Sequence, residues 1–160
     1  MLDFGLNELS TFLITAKVQT YAGDGKEIKP ERQGFRELNY KKWEFEYRDS
    51  YSGFYSAPGQ EVVRFRGEPV WTMAYSGGMI KKHHGNFDFS KKTFEFLKEA
   101  LIRVPVSKPF RGPEKFSKGD FVYESKVVGD VTWFKGSEKI KFKGKVVFRQ
   151  DYIGGLIVQK

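Results

Sequence analysis

One aspartate interrupts a row of aromatic side chains in the stretch FEYRDSY, residues 45–51. Side chains alternate between the two faces of a strand. Asp49 therefore shares a face with the three aromatic residues of this stretch, which are Phe45, Tyr47 and Tyr51. A carboxylate in such a row must be hydrogen bonded, paired with a cation or open to a wet pocket, because burying it alone is costly. Asp49 is thus either a structural group that binds a tyrosine or a backbone amide, or a group that contacts a ligand.

Two loops carry further groups that could line a pocket. Tyr21 and Asp24 lie in TYAGDG at 20–25, and Arg111 lies in FRGP at 110–113. Asp24 and Arg111 could face each other across a cleft. The alternative is that Asp24 stabilises a turn and Arg111 is a surface charge.

Trp71 and Tyr75 alternate onto one face of another predicted strand. Packing in the core is the ordinary role of such residues, although a tyrosine hydroxyl could also line a pocket. We predict a ligand-binding set of eight residues: Asp49, Tyr47, Tyr51, Tyr21, Asp24, Trp71, Tyr75 and Arg111.

Several kinds of chemistry find no support in the sequence. It has no cysteine, which excludes disulfides, thiol catalysis and thiolate metal sites. Its two histidines, His83 and His84, are adjacent and make a poor chelating pair. There is no catalytic serine triad, phosphate-binding loop or dinucleotide fingerprint. We predict no catalytic residue, metal ligand or cofactor; the alternative is an enzyme that uses Asp and Tyr for acid–base chemistry.

Two segments of the chain repeat one pattern at an offset of 77 residues. They are EVVRFRGEPVWTMAYSGGMI at 61–80 and EKIKFKGKVVFRQDYIGGLI at 138–157, with eight identical positions. Chance gives about one or two identities, so the pattern indicates an internal duplication. Positions kept in both copies are best explained by the fold, whereas positions that differ are candidates for function. Asp49 differs, because its counterpart in the second half is Ser125.

The elements that position these residues follow from hydrophobic spacing. A short amphipathic helix is predicted to begin near Asn7, and a second one after Asp88, with a cap near Ser90 and an end before Pro105. Alternating apolar and polar residues predict about four antiparallel strands after each helix. Tight hairpins are expected at Gly67 and Gly144, and a turn or bulge at each Gly-Gly pair, 77–78 and 154–155.

These elements predict one α+β domain over residues 1–160, with a pseudo-two-fold repeat of about 7–80 and 88–160. Two internally duplicated α-β4 halves would form a twisted antiparallel sheet with both helices on one face. We expect a non-enzymatic binding or sensor-type domain that holds a small molecule or a partner protein in a cleft between the halves. No apolar run has the length of a membrane span and no signal peptide is evident, so we expect a cytoplasmic protein without membrane contact.

The net charge of +8 makes nucleic acid or another polyanion an alternative partner. The cations concerned are predicted to form a stripe opposite the core-facing residues, which would be a basic face of the sheet. They are Arg64, Arg66, Lys139, Lys141, Lys143 and Lys145. The alternative is a solvated strand face that prevents edge-to-edge aggregation, and no recognised nucleic-acid motif accompanies the stripe.

Six motifs together resemble an uncharacterised prokaryotic family of unknown function. They are TYAGDG at 20–25, YRDSYSG at 47–53, GEPVWTMAYSGG at 67–78, FLKEALIRVP at 96–105, FRGPEKFSKGDFVY at 110–123 and DYIGG at 151–155. Proteins resembling this occur alone or C-terminal to a helix-turn-helix domain of the Xre type. The resemblance implies no catalytic residues; it implies a module that senses an effector or binds a protein.

Overall fold

The computed structural model describes residues 3–159, which form two helices and eight strands. The first half contains α1 (Leu6–Gln19), β1 (Arg36–Lys42), β2 (Phe45–Tyr51), β3 (Gly59–Phe65) and β4 (Glu68–Met79). A 3-10 turn (Lys81–His83) leads to the second half, which contains α2 (Phe87–Leu101), β5 (Lys115–Lys118), β6 (Phe121–Asp130), β7 (Trp133–Phe142) and β8 (Lys145–Leu156). Neither helix of this described part is long and apolar enough to cross a membrane.

All eight strands form one antiparallel sheet in the order β1-β2-β3-β4-β8-β7-β6-β5. Each half is a meander, and the last strands of the two halves, β4 and β8, pair at the centre. The predicted α+β class, with two helices and an eight-stranded antiparallel sheet, is confirmed. The order of elements is the same in both halves, whereas their origin by duplication stays a prediction.

Both helices cover the same face of the sheet. Helix α1 packs Leu9, Phe12, Leu13 and Ala16 into one core cluster with Trp71 of β4, and α2 packs Phe96, Leu97, Ala100 and Leu101 into a second with Met79. The helical spacing of these apolar residues gives each helix one buried stripe. Because β4 pairs with β8 without interruption from Trp71 to Met79, these two residues point to the same side.

The two predicted hairpins have the expected backbone. Arg66 and Gly67 have φ of +52° and +87°, and Lys143 and Gly144 have +49° and +77°. Positive φ at both central residues is the type I′ pattern, whose twist matches that of the paired strands.

The Gly-Gly pairs do not interrupt the strands, contrary to expectation, since β4 and β8 run through both of them. At Gly78 the reason is a close approach of backbone. The segment before β3 runs antiparallel beside β4 there, with Ser56 bridged to Gly78, and Met79 N donates to Tyr55 O at 2.7 Å. A Cβ on Gly78 would overlap the Tyr55 carbonyl, so only glycine fits.

The predicted cap of α2 near Ser90 is also wrong. The helix begins one turn earlier, where the Asn86 side chain accepts a hydrogen bond from Phe89 N at 3.2 Å. Ser90 lies inside the first turn and donates from its hydroxyl to Asn86 O at 2.8 Å. Asparagine and serine are both strong cap residues, and here the asparagine takes the position.

Candidate ligand-binding cleft

A cleft of about 740 Å³ opens between α2 and two loops of the first half. Its floor is the helix-covered face of the sheet, α2 forms one wall, and the loops at 20–25 and 51–57 form the other. Small-molecule sites in proteins commonly have volumes of this order. Six of the eight residues predicted from the sequence line it: Tyr21, Asp24, Asp49, Tyr51, Tyr75 and Arg111.

The sheet register brings Asp49 and Tyr75 together although two strand spacings separate them. Asp49 lies opposite Glu61 of β3, and Tyr75 of β4 lies opposite Gly59. Because Gly59 has no side chain, the Tyr75 ring lies across β3 and reaches β2. Its hydroxyl donates to Asp49 Oδ1 at 2.7 Å.

The Asp49 carboxylate is buried but not closed off. Asp49 is 4% exposed, and its Oδ1 accepts a hydrogen bond from the Tyr75 hydroxyl. Oδ2 has no hydrogen-bond partner within residues 3–159, and since no fully sealed side-chain oxygen there lacks a partner, Oδ2 keeps some exposure; Asp49 lines both the cleft and a small cavity beneath it. Burial, and then the nearby charge of Glu61, raises the pKa of Asp49 to about 7, against the opposing effects of Tyr75, Lys17 and Arg111.

Two buried ion pairs flank this carboxylate. Lys17 of α1 pairs with Glu61, and both side chains are almost fully buried. Arg111, in the segment before β5, donates from Nε and Nη2 to Glu138 Oε1 at 3.0 and 2.7 Å. Burial lowers the pKa of Lys17, although the Glu61 charge opposes that effect. Each of the two cations is thus matched by one glutamate.

The second pair belongs to a wider hydrogen-bonded group. Glu138 also accepts from the Tyr123 hydroxyl at 2.5 Å and from Gln150 Nε2 at 3.0 Å. The Tyr123 oxygen in turn accepts from Gly112 N at 2.9 Å. These bonds hold the Arg111 segment against the sheet, so the guanidinium is fixed at the inner edge of the cleft.

The mouth of the cleft is shaped by the loop after α1. Gly25 N donates to Thr20 O at 2.7 Å, which folds the loop back on the helix end. Tyr21 meets Tyr51 edge to face with ring centres 6.1 Å apart. Lys98 of α2 pairs with Asp24 at 2.5 Å. Asp24 and Arg111 therefore both line the cleft, but they are not partners of each other. Asp24 pairs with Lys98, and Arg111 pairs with Glu138.

Tyr47 and Trp71 lie outside the cleft. Trp71 is fully buried in the core and donates from Nε1 to Val131 O at 3.0 Å. Tyr47 is buried beneath the cleft, where it lines an inner cavity of about 20 Å³ together with Lys17, Asp49 and Glu61. That space is enough for one water molecule. Neither aromatic ring offers a surface to a molecule in the cleft.

The predicted basic residues do not form one surface. Arg64 is level with Pro69 of β4. Lys139 is level with Gly78 of β4, because it lies opposite Arg149, which pairs with Gly78. Pro69 and Gly78 are nine residues apart along the strand, or about 30 Å. Salt bridges hold four of the six cations: Arg66 to Glu44, Lys139 and Lys141 to Glu124, and Lys143 to Asp120.

Sequence reasoning missed Lys17, Glu61, Glu138 and Gln150 as parts of the buried polar group. A signal was present for the glutamates. Glu61 and Glu138 are identical in the two copies and alternate onto the same strand face as core residues, such as Val63 beside Glu61. A carboxylate at the same core-facing position of both segments must be paired with a cation or hydrogen bonded.

Within residues 3–159, no three His, Cys, Asp or Glu side chains gather as a metal site would require.

Comparisons place the chain in one family. No curated protein and no solved structure matches the sequence. Residues 49–157, about two thirds of the chain, match the family described as Domain of unknown function (DUF5680). The match begins at Asp49 and ends just after β8, so it includes the floor of the cleft and all of α2. The chain therefore belongs to the DUF5680 family, as the resemblance to a family of unknown function predicts.

Proposed function

We propose that the cleft binds a small molecule, which is held against Asp49. The observation that carries this proposal is a nearly buried carboxylate whose Oδ2 has no partner within residues 3–159, at the floor of a cleft of about 740 Å³. Burial takes most of the water away from this carboxylate, which costs free energy unless other donors replace it. A ligand that donates a hydrogen bond to Oδ2 offsets that cost.

The lining of the cleft supports a small molecule as the occupant. Apolar surface comes from Phe54, Phe94 and Phe148, and a few polar groups, among them Asp49 and Arg111, converge on the inner end. Ligand sites commonly combine apolar walls with a small number of placed polar groups. We infer that Tyr21, Asp24, Tyr51, Tyr75 and Arg111 contact or orient the ligand.

The two halves support a division between fold and function. We infer that they arose by duplication, because Ser125 meets Tyr152 at 2.9 Å as Asp49 meets Tyr75, and Gly136 underlies Tyr152 as Gly59 underlies Tyr75. A neutral hydroxyl therefore suffices as the tyrosine's partner in this fold. The carboxylate of Asp49 adds a charge that packing does not need.

A sensor role is the finer part of the proposal. The cleft walls come from both halves of the chain, with α2 on one side and the first-half loops on the other. A bound molecule would add contacts between them and stabilise one arrangement of the two halves. The association with Xre-type DNA-binding domains implied by the family resemblance would give such a response an output.

Thermal-shift screening against a metabolite library tests the binding proposal. A compound at 100 times its Kd stabilises a protein by about 2.7 kcal/mol, or roughly 5–11 °C in Tm for a domain of this size. We expect at least one stabiliser of the wild type that loses most of its effect with Asp49→Ser. The matched control is Ser125→Ala, which removes the corresponding hydrogen bond outside the cleft and should keep the shift. A library without any stabiliser, or stabilisers indifferent to Asp49→Ser, would count against the proposal.

Acid–base catalysis is a second candidate, favoured by the raised pKa of Asp49, about 7, inside the cleft. A general acid or base works best when its pKa lies near the working pH. The test is to incubate the identified ligand with the protein and follow its conversion. Catalysis by Asp49 requires turnover with a rate profile that bends near pH 7 and is lost in Asp49→Asn; an unchanged ligand supports binding alone.

A further inference from the structure

We infer that the ligand group bound to Asp49 is a cationic nitrogen, an ammonium or amidinium, carried on a small aromatic or apolar body; this inference rests on the proposed binding function. The cleft thereby selects among small molecules by charge.

The buried charges around the cleft do not balance without such a group. Lys17 is matched by Glu61, and Arg111 is matched by Glu138. Among the described residues, 3–159, Asp49 is the further buried carboxylate at this site, and its hydrogen-bond donor there, Tyr75, is neutral. The ionised site therefore carries one negative charge in excess, and a cationic ligand would neutralise it.

The geometry leaves room for a donor at one oxygen. Tyr75 occupies Oδ1, whereas Oδ2 has no partner within residues 3–159, and Asp49 lines the cleft. A charged N–H group that binds Oδ2 would form a charge-assisted hydrogen bond, which is about twice as strong as a neutral one. An anionic ligand would instead meet the uncompensated carboxylate, and the nearby cations, Lys17 and Arg111, already have partners.

The tyrosines at the inner end provide the surroundings that organic cations favour. The chain places its own cations over these rings: Lys98 Nζ lies 4.9 Å from the Tyr21 ring centre, and Arg111 Cζ lies 5.6 Å from that of Tyr75. Both cations are neutralised by carboxylates, Lys98 by Asp24 and Arg111 by Glu138. A further cation at Oδ2 would thus lie beside aromatic rings whose own cations are already paired with carboxylates.

The pH dependence of binding separates a cationic ligand from the alternatives. A cation binds ionised Asp49, so its affinity should fall about tenfold for each pH unit below the pKa of that carboxyl. Several titratable or charged groups face Asp49 from the elements packed around it. They are Lys17 on α1, Arg36 on β1, Tyr51 on β2, Glu61 on β3, Tyr75 on β4, Tyr21 in the loop after α1 and Arg111 before β5.

Three probes of nearly equal shape test the inference: benzamidine, benzamide and benzoate, which are cationic, neutral and anionic. Their affinities for the full chain would be measured by amide chemical-shift titration between about pH 5.5 and 8.5. We expect benzamidine to bind in the cleft about tenfold or more tightly than the other two, and to weaken as the pH falls. Asp49→Ser should abolish the preference, whereas Ser125→Ala should keep it.

The outcomes separate this inference from the binding proposal. Equal binding of the three probes, or tighter binding of benzamide or benzoate in the cleft, overturns the cationic ligand and leaves the binding function intact. If no probe binds, the charge of the stabilisers found by thermal shift decides: cationic stabilisers support the inference, and neutral or anionic ones overturn it. A library and probe set without any cleft ligand overturns both proposals.

Discussion

Asp49 of β2 and Ser125 of β6 occupy corresponding positions in the two halves, and each is hydrogen bonded to the hydroxyl of a tyrosine two strand spacings away. The distance is 2.7 Å from Asp49 to Tyr75 and 2.9 Å from Ser125 to Tyr152. The local architecture is shared, but one half contains a carboxylate where the other contains a neutral hydroxyl. Asp49 lines the cleft, whereas Ser125 does not. The difference in charge therefore coincides with the difference in access.

The stability of the wild type relative to Asp49→Asn should depend on pH. Asp49 has a pKa of about 7 in the folded protein and 3.8 as its ordinary value. Between these values the folded protein holds one more proton than the unfolded chain, so the contribution of Asp49 to stability falls as the pH rises. Asparagine does not titrate. Asp49→Asn should therefore become more stable relative to the wild type as the pH rises from about 4 to 7. The difference between their free energies of unfolding should change by up to about 4 kcal/mol.

Urea unfolding of both proteins across this pH range measures the difference. Ser125→Ala serves as the control, because its own difference from the wild type should not change with pH. A constant difference between wild type and Asp49→Asn would show that the folded protein leaves the Asp49 carboxyl with its ordinary pKa.

Replacing one partner of the Lys17–Glu61 pair should strongly lower the free energy of unfolding. Lys17→Met leaves the Glu61 carboxylate buried without its cation, and we expect a loss of about 3–5 kcal/mol in the free energy of unfolding. Replacing both partners, as in Lys17→Met with Glu61→Leu, removes the buried charge and should recover much of that loss. Denaturant unfolding of the single and double variants tests this, and a double variant no more stable than Lys17→Met would contradict it.

Gly59→Ala and Gly136→Ala form a matched pair. A Cβ at either position would overlap the tyrosine ring lying on it, Tyr75 or Tyr152, so each variant should lose about 1–3 kcal/mol of stability. Only the first displaces a residue that lines the cleft. Ligand titration should therefore show weaker binding for Gly59→Ala and near wild-type binding for Gly136→Ala. Equal effects of the two variants on binding would show that Tyr75 is not part of the binding site.

Arg111→Lys tests whether the guanidinium shape matters. Arginine donates twice to Glu138 Oε1 from a planar group, and lysine cannot reproduce both bonds. We expect a loss of about 1–3 kcal/mol in unfolding free energy, whereas the exposed Arg149→Lys should change it by less than about 0.5 kcal/mol. Equal stability of Arg111→Lys and the wild type would mean that a single charge is sufficient there.

Much of the fold could be predicted from the sequence because its signals are local. Alternation of residues such as Val63 and Phe65 predicts strands, and the glycines at 67 and 144 predict the two hairpins. The prediction fails where a distant segment determines the outcome. The Gly-Gly pair at 77–78 predicts a turn or bulge, but the segment at 55–57 pairs with β4 there and the strand continues.

The candidate site was predictable where a residue breaks a pattern. Asp49 stands out in an aromatic row, and the cleft includes it. Lys17 does not stand out, because a lysine near the end of a helix ordinarily lies in solvent. Its burial depends on the packing of α1 against the sheet, which brings Lys17 into an ion pair with Glu61 of β3. Trp71 shows the reverse case, since alternation places it on the correct face but the core covers it.

A crystal structure of the wild-type protein with benzamidine, or with the strongest stabiliser from the metabolite screen, tests the proposed site most directly. We predict electron density for the ligand in the cleft, with a nitrogen about 2.7–3.2 Å from Asp49 Oδ2 and the Tyr75 hydrogen bond to Oδ1 retained. A ligand bound elsewhere on the surface, with Oδ2 satisfied by a donor of the protein itself, would contradict the proposed site.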